Sequence, residues 1–366
     1  MRRLSVLLVI LLSGVLWSAA PPAQPPVRRA VATFDGPPPE VQLGIDRLVA
    51  GFRGDVGVAV MDVQDGWMAG YNLNRPFPQQ SVSKLWVAVT VLDQVDQGRL
   101  KTSDVVMVRP EDLSVFYQPI AREVGKAGYV TTVGDLLRRA LGESDNAADD
   151  MLLRLVGGPP AVTETLRRKG LEGIRGGPDQ KTLQSAIAGI QWRPEYAGRN
   201  ELFRAARSQA PPEVRNSALM AYLADPPDGA TPAGAVQALG DIGRGEVLSK
   251  QSTAFLLTAM GGAVTGRMRL RGGLDSDWFI AHKTGTGPDW AGGSTGINDL
   301  ALLTAPDGRL YAVGVFIAHT DAPVPERLAF MQQVARTVVE HWNAAHSTQG
   351  PVARPATPSA TAQTDS

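Results

Sequence analysis

Three short polar motifs contain the residue types needed for acyl transfer to a serine. In chain order they are Ser81-Val82-Ser83-Lys84, Ser144-Asp145-Asn146 and Lys283-Thr284-Gly285. A serine hydroxyl is a poor nucleophile until a neighbouring base takes its proton. Because residues three apart lie on one face of a helix, Lys84 is predicted to reach the Ser81 hydroxyl. The first motif therefore predicts Ser81 as the nucleophile and Lys84 as its base.

Both cationic positions of these motifs hold lysine in a chain that strongly prefers arginine. There are seven lysines, and 36 − 7 leaves 29 arginines. Lysine can lose its proton at working pH, whereas arginine cannot. Burial and the second cation, Lys283, would favour the neutral amine that Lys84 needs in order to act as a base.

The second motif is predicted to lie on a loop between two helices. Ser144 would pass a proton to the leaving nitrogen of the substrate. Asn146 would hydrogen-bond a substrate amide. Asp145 is expected to fix the loop through hydrogen bonds to its backbone.

The third motif is predicted to lie on an edge strand that faces the substrate. Lys283 and Thr284, followed by Gly285, would hold a substrate carboxylate. The backbone N–H groups of Ser81 and Thr286 would form an oxyanion hole, which usually gives the largest stabilisation in such reactions.

The segments around the motifs predict an α/β fold with an all-α lobe. Apolar runs indicate strands, and a helical spacing of apolar residues follows Ser81. The predicted strands cover residues 56–61, 277–283, 298–304 and 310–317, and the predicted helices cover 81–97 and 325–342. Strands at both chain ends predict one antiparallel sheet flanked by helices, with an inserted helical subdomain over about 86–245. A cleft between these parts is the expected site.

Composition excludes several classes of function. Acidic and basic residues balance at 36 each, so no net field favours nucleic acid or an anionic membrane. The chain has no cysteine, which rules out a thiol nucleophile, disulfides and thiolate metal sites. Its four histidines lack the spacing of a zinc site. We therefore expect neither a metal nor a cofactor.

The two ends of the chain differ from the middle. Arginines at positions 2 and 3, an apolar run over 4–17 and small residues at 18–20 predict a signal peptide over 1–20. The apolar run is short for a membrane span. A Pro-rich linker is predicted over 21–39, a folded domain over 40–345 and a disordered tail over 346–366. This organisation predicts a periplasmic or secreted protein that is free of the membrane after cleavage.

The motifs and their order resemble those of the class A serine β-lactamases, and the resemblance extends over nearly all of the predicted folded domain. Further segments are similar to the family's gate-tyrosine segment, two helix starts and the strand that follows the third motif. These are Tyr117-Gln118-Pro119, Gly157-Gly158-Pro159, Thr231-Pro232-Ala233 and Asn298-Asp299-Leu300-Ala301. Arg327 falls where an arginine of the extended-spectrum branch helps to bind the substrate carboxylate. The resemblance implies a monomer that opens β-lactam rings through an acyl-enzyme on Ser81.

One position departs from the family pattern. Family members hydrolyse the acyl-enzyme with a glutamate in an Ω-shaped loop, and counting without gaps places Gln180 there. A glutamine cannot take a proton from water. Extra residues, placed between 185 and 230, include a Pro-Glu that loosely resembles the family's loop. Glu195 is therefore a candidate base, and Asp179 is another.

This departure leaves alternatives open. A D,D-peptidase or transpeptidase acting on peptidoglycan stem peptides would share the acylation residues and lack the loop glutamate. A penicillin- or muropeptide-binding sensor would acylate and stop. The lack of a second membrane segment counts against a signalling sensor. Turnover of a β-lactam would separate the first hypothesis from the other two.

Overall fold

Near-continuous apolar runs form the central strands of an antiparallel sheet in the computed structural model, which describes residues 36–290 and 293–347. Strands of this kind are buried on both faces. The strand order is β2-β1-β10-β9-β7, and β8 also pairs with β9. The strands are β1 (Gly54–Asp62), β2 (Met68–Tyr71), β3 (Phe77–Pro78), β4 (Val105–Val108), β5 (Tyr129–Thr132), β6 (Gly229–Ala230), β7 (Phe279–Gly285), β8 (Asp289–Trp290), β9 (Gly293–Thr304) and β10 (Leu310–Thr320).

Helices cover both faces of this sheet. They are α1 (Pro39–Ala50), α2 (Lys84–Asp96), α3 (Val133–Arg138), α4 (Asn146–Val156), α5 (Pro159–Lys169), α6 (Gln180–Ile187), α7 (Asn200–Gln209), α8 (Pro212–Ala224), α9 (Pro232–Gly243), α10 (Lys250–Gly261) and α11 (Val324–Ser347). Alternate strand residues enter two separate apolar cores. Val58 and Val60 pack with α1 and α11, whereas Ala59 and Met61 pack with the helices between the strands.

The predicted fold class is confirmed. β1, from the N-terminal part, pairs with β10, from the C-terminal part, with Val58 opposite Val315. The helices α2 to α10 lie between β1 and β7, together with two short two-stranded pairs, β3 with β6 and β4 with β5. The chain ends therefore build one sheet, as the sequence predicts.

Some boundaries differ from the predictions. The predicted helix at Ser81 begins as a 3₁₀ turn over Gln80–Ser83, and the α-helix starts at Lys84. Gln80 has a φ of +53° and donates its backbone N–H to Asp228 Oδ2 at 2.7 Å, which fixes the turn from outside the helix. The last helix continues to Ser347, past the predicted end at Trp342.

The signal peptide over 1–20, most of the linker over 21–39 and nearly all of the tail over 346–366 lie outside the described residues. Within the described ranges, no helix is both long enough and apolar enough to cross a bilayer. The same part of the chain holds no group of three or more histidine and acidic side chains placed to bind a metal ion.

Candidate active site

The turn that carries Ser81 is held by hydrogen bonds from distant parts of the chain. Asn298 Nδ2 on β9 donates to the carbonyl oxygens of Pro78 and Gln79 at 2.8 and 3.0 Å. The Gln79 side chain in turn donates to the Asp228 carbonyl oxygen at 2.6 Å. Ser81 is half-buried and lines the cavity described below. The nucleophile candidate therefore sits on a braced turn and still faces open space.

Lys84 lies in the first turn of α2 and is fully buried. Its Nζ donates to the Ser144 carbonyl oxygen at 2.7 Å and to Asn146 Oδ1 at 2.6 Å. Burial lowers the pKa of Lys84, against the opposing effect of nearby carboxylates, of which Asp149 has the largest. An amine in this setting gives up its proton more readily than the amine of a surface lysine does.

Lys283 on β7 approaches the same loop from the opposite side. Its Nζ donates to Ser144 Oγ at 2.8 Å and to the Thr284 carbonyl oxygen at 3.1 Å. Burial, reinforced by repulsion from Lys84, holds the pKa of Lys283 well below its usual value. Ser144 thus stands between two amines, one at its carbonyl oxygen and one at its hydroxyl.

The loop between these amines has a strained conformation that its neighbours stabilise. Ser144 is left-handed, with a φ of +65°. Asp145 caps α4 by accepting the Ala148 N–H at 2.9 Å, and its other oxygen accepts the Ile120 N–H at 2.7 Å. The prediction that Asp145 fixes the loop through backbone hydrogen bonds is confirmed. The backbone N–H of Asn146 bonds the Tyr117 carbonyl oxygen at 3.0 Å, which joins the loop to the opposite rim.

Gly285 lets β7 come close to the nucleophile turn. A Cβ at this position would lie 2.2 Å from the Gln79 carbonyl oxygen, so any side chain would push the strand away. Beyond it, Thr284 Oγ1 shares a hydrogen bond of 2.8 Å with Thr265 Oγ1. Thr286 Oγ1 accepts a hydrogen bond from Arg269 at 2.7 Å. The third motif therefore presents a polar edge to the cavity.

These elements enclose a cavity of about 610 Å³. Its walls carry the nucleophile candidate, two residues of the second motif, the polar end of β7 with the residues that follow it, and residues from four other segments. The lining residues are Ser81, Phe116, Tyr117, Ser144, Asn146, Gln184, Arg207, Thr265, Gly266, Arg269, Thr284, Thr286, Gly287, Pro288 and Asp289. One hydroxyl from each of the three motifs and the Asn146 amide thus meet in one cavity.

The family model of the β-lactamase enzyme family matches residues 41–342 of the chain. The chain belongs to this family.

Curated relatives and solved structures agree with that assignment. The chain is 31% identical to the extended-spectrum β-lactamase PER-1 of Pseudomonas aeruginosa, over 81% of this chain and 85% of the relative. A β-lactamase structure from Chitinophaga pinensis is 30% identical, with a TM-score of 0.67, over 83% and 99% of the two chains. An ancestral class A β-lactamase is also 30% identical, with a TM-score of 0.64, over 82% and 99%. The predicted class A serine β-lactamase family and enzyme class are confirmed.

The structure of this β-lactamase gives Arg269 the place in the cavity wall that the sequence assigned to Arg327. The Arg327 guanidinium bonds the Ala322 carbonyl oxygen and Ser294 Oγ, and Arg327 does not line the cavity. Arg269 does line it, and its Nη1 donates to the carbonyl oxygens of Gly285 and Asn298 at 2.8 and 2.6 Å. Arg269 lies in a turn before β7, and no sequence motif marks it.

Glu195 does not reach the cavity of this β-lactamase. Its side chain is 52% exposed and pairs with Arg193 at 3.7 Å, and Glu195 is not a lining residue. Asp179 caps α6 by accepting the Thr182 N–H at 2.8 Å and does not line the cavity either. The structure therefore supports neither sequence-based candidate for the base that hydrolyses the acyl-enzyme.

Gln180 lies buried at the start of α6, against α4. Its backbone N–H bonds Asp150 Oδ1 at 2.6 Å, and its Nε2 donates to Asp149 Oδ2 at 3.0 Å. One turn later, Gln184 lines the cavity and donates to Gln80 Oε1 at 3.2 Å. This helix therefore contributes amides to the site, where the family pattern predicts a carboxylate.

Two buried carboxylates that the sequence analysis overlooked face this amide helix. Burial raises the pKa of Asp149 to about 6, and burial with repulsion from Asp179 raises the pKa of Asp150 to about 7. These two residues could have been noticed in the sequence, because they are adjacent aspartates three and four residues after Asn146 on a helix with a buried face.

Proposed function

We propose that this β-lactamase opens β-lactam rings through a covalent acyl-enzyme on Ser81. The observation that supports this most directly is the placement of Ser144 between two buried amines. Lys283 Nζ bonds its hydroxyl and Lys84 Nζ bonds its carbonyl oxygen, beside the cavity that Ser81 lines. A hydroxyl in this position can relay a proton between the nucleophile and a leaving nitrogen.

In the proposed acylation, the Ser81 hydroxyl attacks the β-lactam carbonyl carbon while its proton passes to Lys84. The ring C–N bond then breaks, and Ser144 gives its proton to the nitrogen. The Lys84 ammonium returns a proton to Ser144, so the proton lost by Ser81 ends on the former ring nitrogen. The backbone N–H groups of Ser81 and Thr286 would stabilise the oxyanion formed during the attack.

The proposed substrate is a small anionic β-lactam. Lys283, Thr284 and Thr286 lie along the polar edge of β7, and the Arg269 guanidinium is bonded to that edge. A planar guanidinium matches a carboxylate in two-point geometry. Asn146, held by Lys84 at its Oδ1, would hydrogen-bond the side-chain amide of the substrate. Tyr117, 55% exposed on the cavity rim, would pack against the bound ring.

We further infer that the protein is exported through the leader predicted over residues 1–20 and works as a monomer. Detection of the mature chain in the periplasmic or extracellular fraction, starting near position 21, tests the first inference. Light scattering of the purified protein tests the second.

The deciding experiment combines nitrocefin turnover with mass spectrometry of the intact protein. Wild-type protein should convert many substrate molecules per site and show a transient adduct. The Ser81→Ala variant should show neither. Ser83→Ala is the matched control, because Ser83 is a buried hydroxyl in the same motif that bonds only the Gln80 carbonyl oxygen, at 2.8 Å. Labelling of Ser81→Ala by a fluorescent penicillin would contradict the assignment.

Gln180, at the position where the family pattern predicts a base, favours a second candidate, a D,D-peptidase acting on peptidoglycan stem peptides. A stable penicillin adduct without turnover, together with release of D-alanine from a muropeptide, would support that candidate.

A further inference from the structure

Asp149 is a fully buried carboxylate for which the acylation steps have no use. It lies on α4, one turn after Asn146. Its Oδ2 accepts a hydrogen bond of 3.0 Å from Gln180 Nε2. Its Oδ1 has no hydrogen-bond partner within the described part of the chain. A buried carboxylate oxygen without a hydrogen-bond partner costs folding free energy. An aspartate at this position therefore calls for a chemical explanation.

The charged groups that change the pKa of Asp149 include the two lysines of the proposed acylation. Lys84 from α2 and Lys283 from β7 both favour its ionised form, and Asp145 on its own helix opposes it. Among the carboxylates that act on Lys84, Asp149 has the largest effect. Asp149 is therefore electrostatically coupled to the base of the acylation step.

The other carboxylates near the site face different groups, although Asp150 Oδ2 is also buried without a partner in the described part of the chain. Asp150 Oδ1 accepts the backbone N–H of Gln180, and Asp150 lines a separate small cavity on the far side with Arg154 and Lys181. Asp289 lines the main cavity but bonds the Ser294 hydroxyl. Glu195 pairs with Arg193 on the surface.

We propose that Asp149 accepts the proton of the water that hydrolyses the acyl-enzyme. Asp149 does not itself line the cavity, so this water reaches its unpaired Oδ1 by passing the lining residues Asn146 and Gln184. This inference rests on the proposed acylation of Ser81. The water oxygen forms a bond to the acyl carbon, and one of its protons passes to Asp149 Oδ1. The proton held by Asp149 then passes to the neutral amine of Lys84. The ester bond to Ser81 Oγ breaks, and Oγ takes that proton from Lys84, which restores Ser81, Lys84 and Asp149.

The same assignment explains the glutamine on α6. A carboxylate at position 180 would stand about 3 Å from Asp149 Oδ2, where two negative charges repel strongly. An amide there donates a hydrogen bond to Oδ2 and leaves Oδ1 open. The negative charge that relatives carry on the loop is thus carried here by the helix that follows the second motif.

The test is the Asp149→Asn variant, followed by stopped-flow and mass spectrometry with a slow penicillin substrate. It should still acylate and then accumulate adduct, with deacylation slower by ~10²–10⁴-fold. The deacylation rate of the wild-type protein should rise with pH as Asp149 ionises, and that rise should be missing in the variant. Asp149→Ala serves as a second variant should the asparagine variant fail to fold.

Asp150→Asn is the matched control. It is equally buried on the same helix, and an asparagine Oδ1 can still accept the Gln180 N–H, so its adduct should clear at close to the wild-type rate. The double variant Asp149→Asn/Gln180→Glu moves the charge to α6 and should clear the adduct faster than Asp149→Asn alone.

Three outcomes would overturn the inference: unchanged deacylation in Asp149→Asn, loss of acylation together with deacylation, or an equal loss in Asp150→Asn. Absence of any adduct in the wild-type protein would instead defeat the proposed function, because acylation precedes every step assigned to Asp149.

Discussion

The cavity has two sides that hold their polar groups differently. The acylation side, formed by α2, α4 and β7, keeps Lys84 and Lys283 fully buried and joined to Ser144 by hydrogen bonds of 2.7–2.8 Å. The insert side, residues 179–230, packs around small satellite clusters such as Leu183 with Leu219, and its polar groups are mostly exposed. Proton transfers that depend on buried amines are therefore expected on the acylation side. The insert side shapes the cavity and can tolerate more change.

The sharpest test of this contrast is Lys84→Arg. Arginine keeps the positive charge and cannot act as a base at working pH, so acylation should slow by ~10²–10⁴-fold. The rate of labelling by a fluorescent penicillin measures this. In the wild-type protein that rate should climb with pH at values below those for an ordinary lysine, because burial lowers the pKa of Lys84. A variant that labels at the wild-type rate would remove Lys84 from the mechanism.

Arg269→Ala should weaken substrate binding, with Arg327→Ala as its comparison. Loss of a charge-assisted hydrogen bond to the substrate carboxylate should raise KM by about 10- to 100-fold. Arg327 does not line the cavity and is linked to its wall only indirectly, through Ser294 and Asp289, so its removal should change KM less than the removal of Arg269. The opposite ranking would restore the sequence-based assignment.

Asp150→Asn should change how stability depends on pH. The pKa of Asp150 rises from 3.8 in the unfolded chain to about 7 in the fold. Between these values only the unfolded state loses its proton, so the wild-type protein loses stability as pH rises from 4 to 7. The asparagine does not titrate. The free energy of unfolding of the variant, relative to wild type, should therefore rise by up to about 4 kcal/mol over that range. Urea unfolding at pH 5 and pH 8 measures it, and a constant difference would refute the shift.

Gly285→Ala should damage both stability and activity, because its Cβ would meet a main-chain oxygen. Overpacking of this kind costs about 1–3 kcal/mol and should move β7 away from the Ser81 turn. Gly51→Ala is the control, since its Cβ would lie 3.5 Å from the nearest atom. Thermal unfolding and nitrocefin turnover should separate the two variants. Equal behaviour would mean that the close approach of β7 is unimportant.

The smallest effect is expected for Glu195→Gln on the insert side. The side chain is more than half exposed and outside the cavity, so turnover should stay within error of wild type. Accumulation of acyl-enzyme in this variant would show that Glu195 acts as the base, and it would contradict the view that the insert side holds no catalytic group.

The acylation side could be predicted from the sequence because local patterns encode it. Ser81 and Lys84 are three residues apart at a helix start, and the strand that carries Lys283 begins with the apolar residues 279–281. The strands β1, β9 and β10 and the helical insert could be predicted for the same reason.

Arg269, Gln184 and Asp149 could not be predicted in the same way. Each enters the site through packing between segments far apart in the chain. Asp149 touches α6 across 31 residues, and Arg269 reaches Asn298 across 29. The Pro-Glu around Glu195 matched a local pattern, yet the packing of α7 and α8 left that loop outside the cavity.

The pairing of β1 with β10 has a consequence for how this protein acquires activity. Val58 lies opposite Val315, which is 257 residues later in the chain. β10 pairs with β9, and β9 pairs with β7. Closing such long loops costs conformational entropy before the strand contacts form, and this makes folding slow. The turn that carries Ser81 is bonded to Asn298 on β9, so the turn reaches this arrangement only after most of the chain has been synthesised. We expect recovery of turnover after dilution from denaturant to follow the pairing of β1 with β10.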